Sequence, residues 1–230
     1  MIDLLFANQY FCVTLTLVVF SFTNAIQQKY KYAILNPIIL SALVIIGILS
    51  FLDVPNAIYQ EGCRLLNYLL TPATICLAIG FYEQFKAMRQ HMGAIFIGTV
   101  AGTVCCLGTI YILCRFFGFE RVLTMSLLPK GITNAIGVAL SQEIGGIAAI
   151  TSTGIAITGT FCNICSPAMA KLMKIQHPIA QGVAFGTAGH VIATARAAEI
   201  SALAGATGSL ALTIAGLFTA LLLSFLAQYL

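Results

Sequence analysis

Four ionisable residues interrupt long apolar stretches of this sequence: Lys130, His190, Arg196 and Glu199. An ionisable side chain at membrane depth is costly unless a partner or an aqueous cavity offsets its lost hydration, so each is a candidate functional residue. Lys130 is flanked by proline and glycine and has no acidic residue near it in the sequence. We therefore expect a small anionic substrate to supply the missing negative charge.

The other three ionisable residues share one apolar segment and allow structural explanations. Arg196 and Glu199 are spaced to lie on one face of a helix, and a structural ion pair near the membrane edge is the favoured interpretation. His190 is either a buried histidine held by hydrogen bonds or a titrating, proton-linked group, since its ordinary pKa lies close to physiological pH. The sequence leaves both alternatives open for His190.

Hydroxyl and amide side chains add polar groups near the same positions. A helix that breaks and restarts in a membrane presents unpaired backbone amides, and with the helix dipole these form an anion site. Such a site suits a carboxylate with a second oxygen, such as a 2-hydroxy or 2-keto acid, better than a cation, because no aspartate lies at a break. A threonine in a helix can instead bond to its own backbone, which is the interpretation favoured for Thr194. The candidate substrate-binding residues are Lys130, Thr133, Asn134, Thr71, Thr74, Thr187, His190 and Arg196.

The composition is typical of a membrane protein. Hydrophobic residues make up 60% of the 230 residues and charged residues 8%, and the mean hydropathy is +0.99. Arg and Lys each cost about 2.5–3.5 kcal/mol at the centre of a bilayer helix, so long stretches without charge predict membrane spans. We expect an all-α polytopic protein with residues 1–230 in a single integral membrane domain. Its few basic residues indicate orientation in the lipid bilayer and not nucleic-acid binding.

About seven to eight hydrophobic segments are long enough to be considered as spans. They cover residues 4–26, 33–52, 57–81, 92–117, 121–142, 145–173, 178–200 and 203–229. The second, fourth and last segments are uninterrupted, which is typical of a scaffold. The third, fifth and seventh are interrupted by proline or glycine.

The interruptions lie at residues 70–74, 128–134 and 186–190. A proline removes a backbone hydrogen bond and disfavours helix at the preceding residue. Non-helical backbone at membrane depth persists only where protein or an aqueous cavity satisfies it, and in transporters such segments form the binding site. A proline kink would explain one interruption. Three that carry polar side chains favour a site where these discontinuous segments meet near the bilayer midplane.

The distribution of basic residues addresses the topology of the fifth segment. If all eight segments cross and the N-terminus is outside, the basic residues do not collect inside, which violates the positive-inside tendency. If residues 121–142 instead bend at Pro129 to Gly131 and return to the same face, most basic residues lie inside. We therefore predict a re-entrant hairpin here, with Glu120 and Glu143 on one face of the membrane.

No arrangement typical of catalysis or of a bound metal or cofactor occurs in the sequence. It has no nucleophile–histidine–acid set, HExxH motif, phosphate loop or dinucleotide-binding loop. Cys162 and Cys165 have the CxxC spacing, but they lie in an apolar segment without a second ligand pair, so packing explains them better. We expect a protein that is not an enzyme and that has no cofactor or metal.

Four segments resemble the LrgB/CidB family of bacterial inner-membrane proteins, and the similarity covers essentially the whole chain. They are residues 69–74 (LLTPAT), 126–133 (SLLPKGIT), 145–150 (GGIAAI) and 186–196 (GTAGHVIATAR). The LLPK and GTAxH motifs together are quite specific. The chain departs from the family's usual serine at Gly131 and Gly189, from its proline at Ala148 and from its glycine at Ala193.

The resemblance implies two functions in a multi-pass protein of the bacterial inner membrane. Related proteins, including the plastid glycolate/glycerate translocator, move small carboxylates, which implies transport of a pyruvate-, lactate- or glycolate-like acid. LrgB-like proteins are also described as antiholin-like regulators of murein hydrolase export and autolysis, acting with a small LrgA/CidA-like membrane partner. The broken segments and Lys130 favour transport, with antiholin-like regulation as the alternative. A homo-oligomer is compatible with either, but no helix has the continuous polar stripe of a self-assembling pore.

Overall fold

The computed structural model describes residues 5–30 and 37–227, and all regular structure among them is helical. The helices are α1 (Gln9–Tyr30), α2 (Pro37–Phe51), α3 (Asn56–Gly62), α4 (Arg64–Arg89), α5 (Met92–Phe116), α6 (Arg121–Leu127), α7 (Asn134–Glu143), α8 (Ala148–Leu172), α9 (Pro178–Ile200) and α10 (Ala202–Leu226). A 3₁₀ turn (Leu128–Gly131) lies between α6 and α7. Helices satisfy their backbone groups within one segment, as lipid requires, and the all-α prediction is confirmed.

Four of the described helices are long and apolar enough to cross a membrane. They are Gln9–Lys29, Met92–Phe116, Ala148–Leu172 and Ala202–Leu226, and a shorter apolar helix covers Leu40–Phe51. The prediction of a multi-pass membrane protein is confirmed. Two other apolar segments, residues 121–142 and 178–200, form hairpins and are described below.

Two compact units divide the chain, residues 1–78 and residues 79–230, and α4 runs from one into the other. In the described part of the first unit, α1 and α2 and the loop before α3 share one apolar cluster. Its buried members are Phe6, Cys12, Val19, Ile45, Leu49 and Val54. That all 230 residues form a single membrane domain stays a prediction.

A chain of hydrogen bonds ties α3 to α1 in the first unit. Thr16 Oγ1 donates to the Cys12 carbonyl oxygen at 2.7 Å and lies 2.7 Å from the Tyr59 hydroxyl. Because the Thr16 proton is directed to the carbonyl, Tyr59 is the donor of the second bond.

The predicted break at residues 70–74 is wrong, because α4 continues through Pro72. A proline inside a helix removes one backbone hydrogen bond, and a membrane helix tolerates that loss when the rest of its ladder is intact. The 26 residues of α4 provide such a ladder on both sides of Pro72. The side chains of Thr71 and Thr74 lie outside the described part of the structure.

Residues 121–143 form a re-entrant hairpin, hairpin 1, in the second unit. At its start, the Arg121 guanidinium donates to the Ala227 carbonyl oxygen at 2.8 Å. At its end, the Ser224 hydroxyl lies 3.4 Å from a Glu143 carboxylate oxygen. Both ends of hairpin 1 therefore lie at the C-terminal end of α10. Its arms, α6 and α7, have seven and ten residues and are too short to cross a bilayer, as predicted from the charge distribution.

Residues 178–200 form a second hairpin, hairpin 2, where the sequence predicts a crossing span. The helical geometry of α9 is lost at Gly189 (φ −129°, ψ 17°) and His190 (φ 43°, ψ −138°). A methyl group placed on Gly208 of α10 would lie 3.1 Å from Thr194 Cγ2 and 3.3 Å from the Gly182 carbonyl oxygen. A straight helix would separate residues 182 and 194 by about 18 Å, so the chain folds back at the break. The predicted interruption at residues 186–190 is confirmed, and at this interruption the chain folds back on itself.

Candidate functional site

The tips of the two hairpins meet beside the middle of α5. A methyl group on Gly102 would lie 3.0 Å from Thr187 Cγ2 of hairpin 2, and one on Gly131 of hairpin 1 would lie 3.3 Å from Cys106 Sγ. A small cavity of ≈ 10 Å³, about the room that one water molecule needs, lies between the tips. The cavity is lined by Thr103, Cys106, Leu107, Leu128, Gly131, Ile132, Thr187, Ala215 and Thr219.

Lys130 lies at the tip of hairpin 1, in the 3₁₀ turn, and is half-buried. Its Cβ would be 3.6 Å from a methyl group on Gly154 of α8. No acidic side chain within the described ranges forms an ion pair with Lys130. The positive charge at this tip therefore has no protein counter-ion there.

The N-terminus of α7 follows Lys130 directly. Thr133 precedes the helix in an extended conformation (φ −66°, ψ 148°), and its half-buried side chain makes no capping hydrogen bond. Asn134 is the first residue of α7 and is exposed. The first backbone amides of a helix have no partner within it, and they carry the positive end of the helix dipole. These amides and Lys130 together favour a bound anion.

The broken backbone of hairpin 2 is satisfied by side chains of α8. The Cys162 thiol donates to the Ala188 carbonyl oxygen at 3.3 Å, just before the break. The Asn163 amide donates to the Ile192 carbonyl oxygen at 2.9 Å, just after it. Side chains of α8 thus replace backbone hydrogen bonds that the helix loses at the centre of hairpin 2. Non-helical backbone in a membrane requires such partners.

His190 is buried and hydrogen-bonded at the turn of hairpin 2. Its side chain is 3% exposed, and Nε2 donates to the Ile155 carbonyl oxygen of α8 at 3.0 Å, because a carbonyl can only accept. Its ring occupies the space beside Gly159, where a methyl group would lie 2.8 Å from Nε2. The positive φ of 43° costs about 1–3 kcal/mol for a residue other than glycine. The geometry matches the interpretation of a hydrogen-bonded core histidine.

Two threonine hydroxyls of hairpin 2 are buried without any hydrogen-bond partner, those of Thr187 and Thr194. Thr187 is 8% exposed and is one of the residues that line the cavity. A methyl group on Gly208 would lie 3.2 Å from Thr194 Oγ1, which shows that this hydroxyl faces α10. The predicted bond from Thr194 to its own helix is therefore wrong.

Arg196 lies apart from the cavity in the returning arm of hairpin 2. It forms the predicted ion pair with Glu199, and the two side chains are 44% and 63% exposed. Of the predicted residues, Thr187 lines the cavity. Three others lie at the tip of hairpin 1 without lining the cavity, namely Lys130, Thr133 and Asn134. His190 lies at the turn of hairpin 2, and Arg196 lies near the end of one arm.

Sequence reasoning missed the residues of α8 that support the break. Asn163 carried a usable signal, because an amide in an apolar segment needs a hydrogen-bond partner. The CxxC spacing in an apolar segment favours packing for Cys162, and nothing in the sequence distinguishes Gly159 or Ile155. Among the described residues, no group of three or more His, Cys, Asp or Glu side chains could hold a metal ion.

Long apolar helices joined by two re-entrant hairpins define a polytopic membrane protein, and sequence comparisons define its family. The profile of the LrgB-like family matches residues 16–229, so the chain belongs to the LrgB-like family. It is 29% identical over 214 residues to the holin-like protein CidB of Staphylococcus epidermidis, covering 93% of each chain. It is 30% identical to the antiholin-like protein LrgB of Bacillus mycoides, covering 91% of this chain and 92% of the relative. No solved structure matches.

Proposed function

We propose first that the protein is a holin-like or antiholin-like component of the bacterial inner membrane. In this function it acts with a small LrgA/CidA-like membrane protein to control murein hydrolase export and autolysis. The relatives are named as holin-like and antiholin-like proteins, and these names support this function more directly than they support transport. It requires membrane contacts between helices and no catalysis, and we propose that the protein is not an enzyme.

We propose as the second candidate the transport of a small carboxylate such as pyruvate, lactate or glycolate, which the geometry of the site favours. The observation that carries this proposal is Lys130, a cation without a protein counter-ion at the tip of a re-entrant hairpin. A carboxylate would accept hydrogen bonds from Lys130 and from the first amides of α7, and Thr187 would donate to a second oxygen. His190 would hold the turn of hairpin 2 in place. The two functions are compatible if the small partner completes the carrier.

Uptake into proteoliposomes tests the assigned site. We expect Lys130→Ala to lower uptake of labelled pyruvate or glycolate at least about tenfold, because a hydrogen bond to a charged group contributes roughly 1.5–3 kcal/mol. Lys171→Ala is the matched control, since Lys171 is exposed in the last turn of α8, and it should transport like the wild type. Equal uptake by the wild type and Lys130→Ala would contradict the assignment of Lys130.

The rate of autolysis in cells that lack the native protein separates the two functions. A purely regulatory protein should tolerate Lys130→Ala and should lose function with Gly102→Leu, because a side chain at Gly102 would collide with Thr187. If control of autolysis depends on transport, Lys130→Ala should abolish both activities together.

A further inference from the structure

The two halves of the second unit repeat one pattern. Hairpin 1 is followed after a short link by α8, and hairpin 2 is followed by α10 after Ser201 alone. Both of these long helices have 25 residues and are candidate membrane spans. Each half is thus a broken, folded-back segment joined to one crossing helix.

The two hairpins begin and end at opposite ends of α10. Arg121 and Glu143, the ends of hairpin 1, contact the C-terminal end of α10. The arms of hairpin 2 contact its N-terminal end, where a methyl group on Gly205 would lie 2.6 Å from Ala198 Cβ and one on Gly182 would lie 2.8 Å from Thr207 Cβ. Because α10 is long enough to cross the membrane, the hairpins enter from opposite faces.

Contacts along α5 also indicate that the two hairpins enter from opposite faces. In the first half of α5, a methyl group on Gly98 would lie 3.4 Å from Val183 Cγ1, and Gly102 lies against Thr187 of hairpin 2. In the second half of α5, Cys106 lies against the tip of hairpin 1. Further along α5, Cys114 shares an apolar cluster with α6, the first arm of hairpin 1. Each hairpin therefore reaches only to the middle of α5.

We propose that residues 121–172 and 178–226 are an inverted repeat and that the two hairpins are gates on opposite faces of one shared solute site between their tips. Inverted repeats with broken helices place the binding site of many secondary transporters at the midplane, where the repeats meet. The repeat follows from the contacts alone. The gating function rests on the transport function proposed above.

The cavity between the tips is too small in this structure to hold a carboxylate. Its ≈ 10 Å³ accommodates one water molecule, whereas ligand sites commonly have volumes of several hundred Å³. The buried Thr187 hydroxyl nevertheless indicates a polar occupant, because this hydroxyl has no hydrogen-bond partner in the protein. A carboxylate fits there only if segments that line the cavity move apart. Hairpin 2 packs closely on α10 through Gly182, Gly186 and Gly208.

Labelling of single cysteines from each side of the membrane tests the repeat. In a cysteine-free chain, an impermeant maleimide should label Glu120→Cys and Glu143→Cys from one face, and His177→Cys and Ser201→Cys from the other. Labelling of positions 177 and 201 from opposite faces would overturn the inverted repeat.

Tags in the chain with its native cysteines provide an independent measurement if the cysteine-free chain fails to fold. One tag is inserted in the loop at residues 173–177 and another is added after residue 230. The repeat places one crossing, α10, between them, so the tags should be on opposite faces. A straight α9 would put both tags on the same face and would overturn the proposal.

Reversible crosslinks test the gates. The pair Gly98→Cys and Val183→Cys fixes hairpin 2 to α5, and the pair Ile136→Cys and Gly216→Cys fixes hairpin 1 to α10, since each pair lies in contact. Each crosslink should abolish uptake of pyruvate or glycolate into proteoliposomes, and a reductant should restore it. Full uptake while either crosslink is formed would contradict the proposal that the hairpins act as gates. If the uncrosslinked chain shows no uptake, transport itself fails, while the labelling result on the repeat is unaffected.

Discussion

Lys130 and His190 show two different ways of placing an ionisable side chain at membrane depth. The His190 ring is buried and hydrogen-bonded to the Ile155 carbonyl oxygen, and it fills the space beside Gly159. Lys130 is half-buried without a protein counter-ion in the described part of the chain. Burial with a partner indicates a structural residue, and burial without one indicates a binding residue.

The backbone of His190 gives a prediction at this scale. Alanine keeps the strained positive φ whereas glycine relieves it, so we expect His190→Gly to be more stable than His190→Ala by about 1–3 kcal/mol. Thermal unfolding of the purified variants measures the difference. In the regular helical part of hairpin 2, alanine should be more stabilising than glycine, as is usual in a helix. We therefore expect Ala180→Gly to be less stable than the wild type by about 0.5–1 kcal/mol. A His190→Gly variant less stable than His190→Ala would refute the kinked turn.

At the scale of single elements, glycines and distant partners decide where a membrane helix breaks, and proline alone does not. Both α4 and α8 contain an internal proline, Pro72 and Pro167, and both continue through it. The chain reverses instead at Gly189 and His190, where Cys162 and Asn163 of α8 bind the freed carbonyl oxygens. A break persists where its backbone groups find new partners.

The contact between hairpin 2 and α10 depends on glycine. Gly186 lies against the backbone of Gly208 with no room for a methyl group, so we expect Gly186→Ala to destabilise the protein by about 1–3 kcal/mol. Gly108→Ala is the matched control, because no atom lies within 4 Å of a methyl group there and alanine is the better helix former. Thermal unfolding in one detergent compares them. An unchanged unfolding temperature for Gly186→Ala would contradict the close packing of hairpin 2.

At the scale of the whole molecule, the crossing helices expose apolar side chains to lipid or to other membrane proteins. On α10, Leu217, Leu221 and Phe225 repeat every four residues along one face and are 63%, 66% and 65% exposed. Residues at this spacing form a continuous stripe on a helix. Such a face can contact acyl chains or a helix of a partner.

Purification in a mild detergent tests the partnership that the relatives suggest. We expect a small LrgA/CidA-like membrane protein to copurify with the tagged chain when both are produced together, because apolar helix faces associate through close packing in the membrane. An unrelated four-span membrane protein is the control and should not copurify. A chain that purifies alone and is fully active would contradict the need for a partner.

Much of the outline of this protein is determined by the sequence itself. Its hydropathy specifies an all-α membrane protein, its charge distribution specifies hairpin 1, and the isolated charge of Lys130 marks the tip of that hairpin. These properties depend on residue type and on near neighbours in the chain, so they can be read without coordinates.

Only the tertiary structure decided that α4 continues through Pro72 and that α9 folds back on itself. It also decided that Asn163 supports the break and that Thr187 faces a cavity. The physical reason is that the backbone at an interrupted segment can adopt several conformations of similar energy. The one adopted depends on hydrogen bonds and close packing supplied by segments far away in the sequence, here α8 and α10.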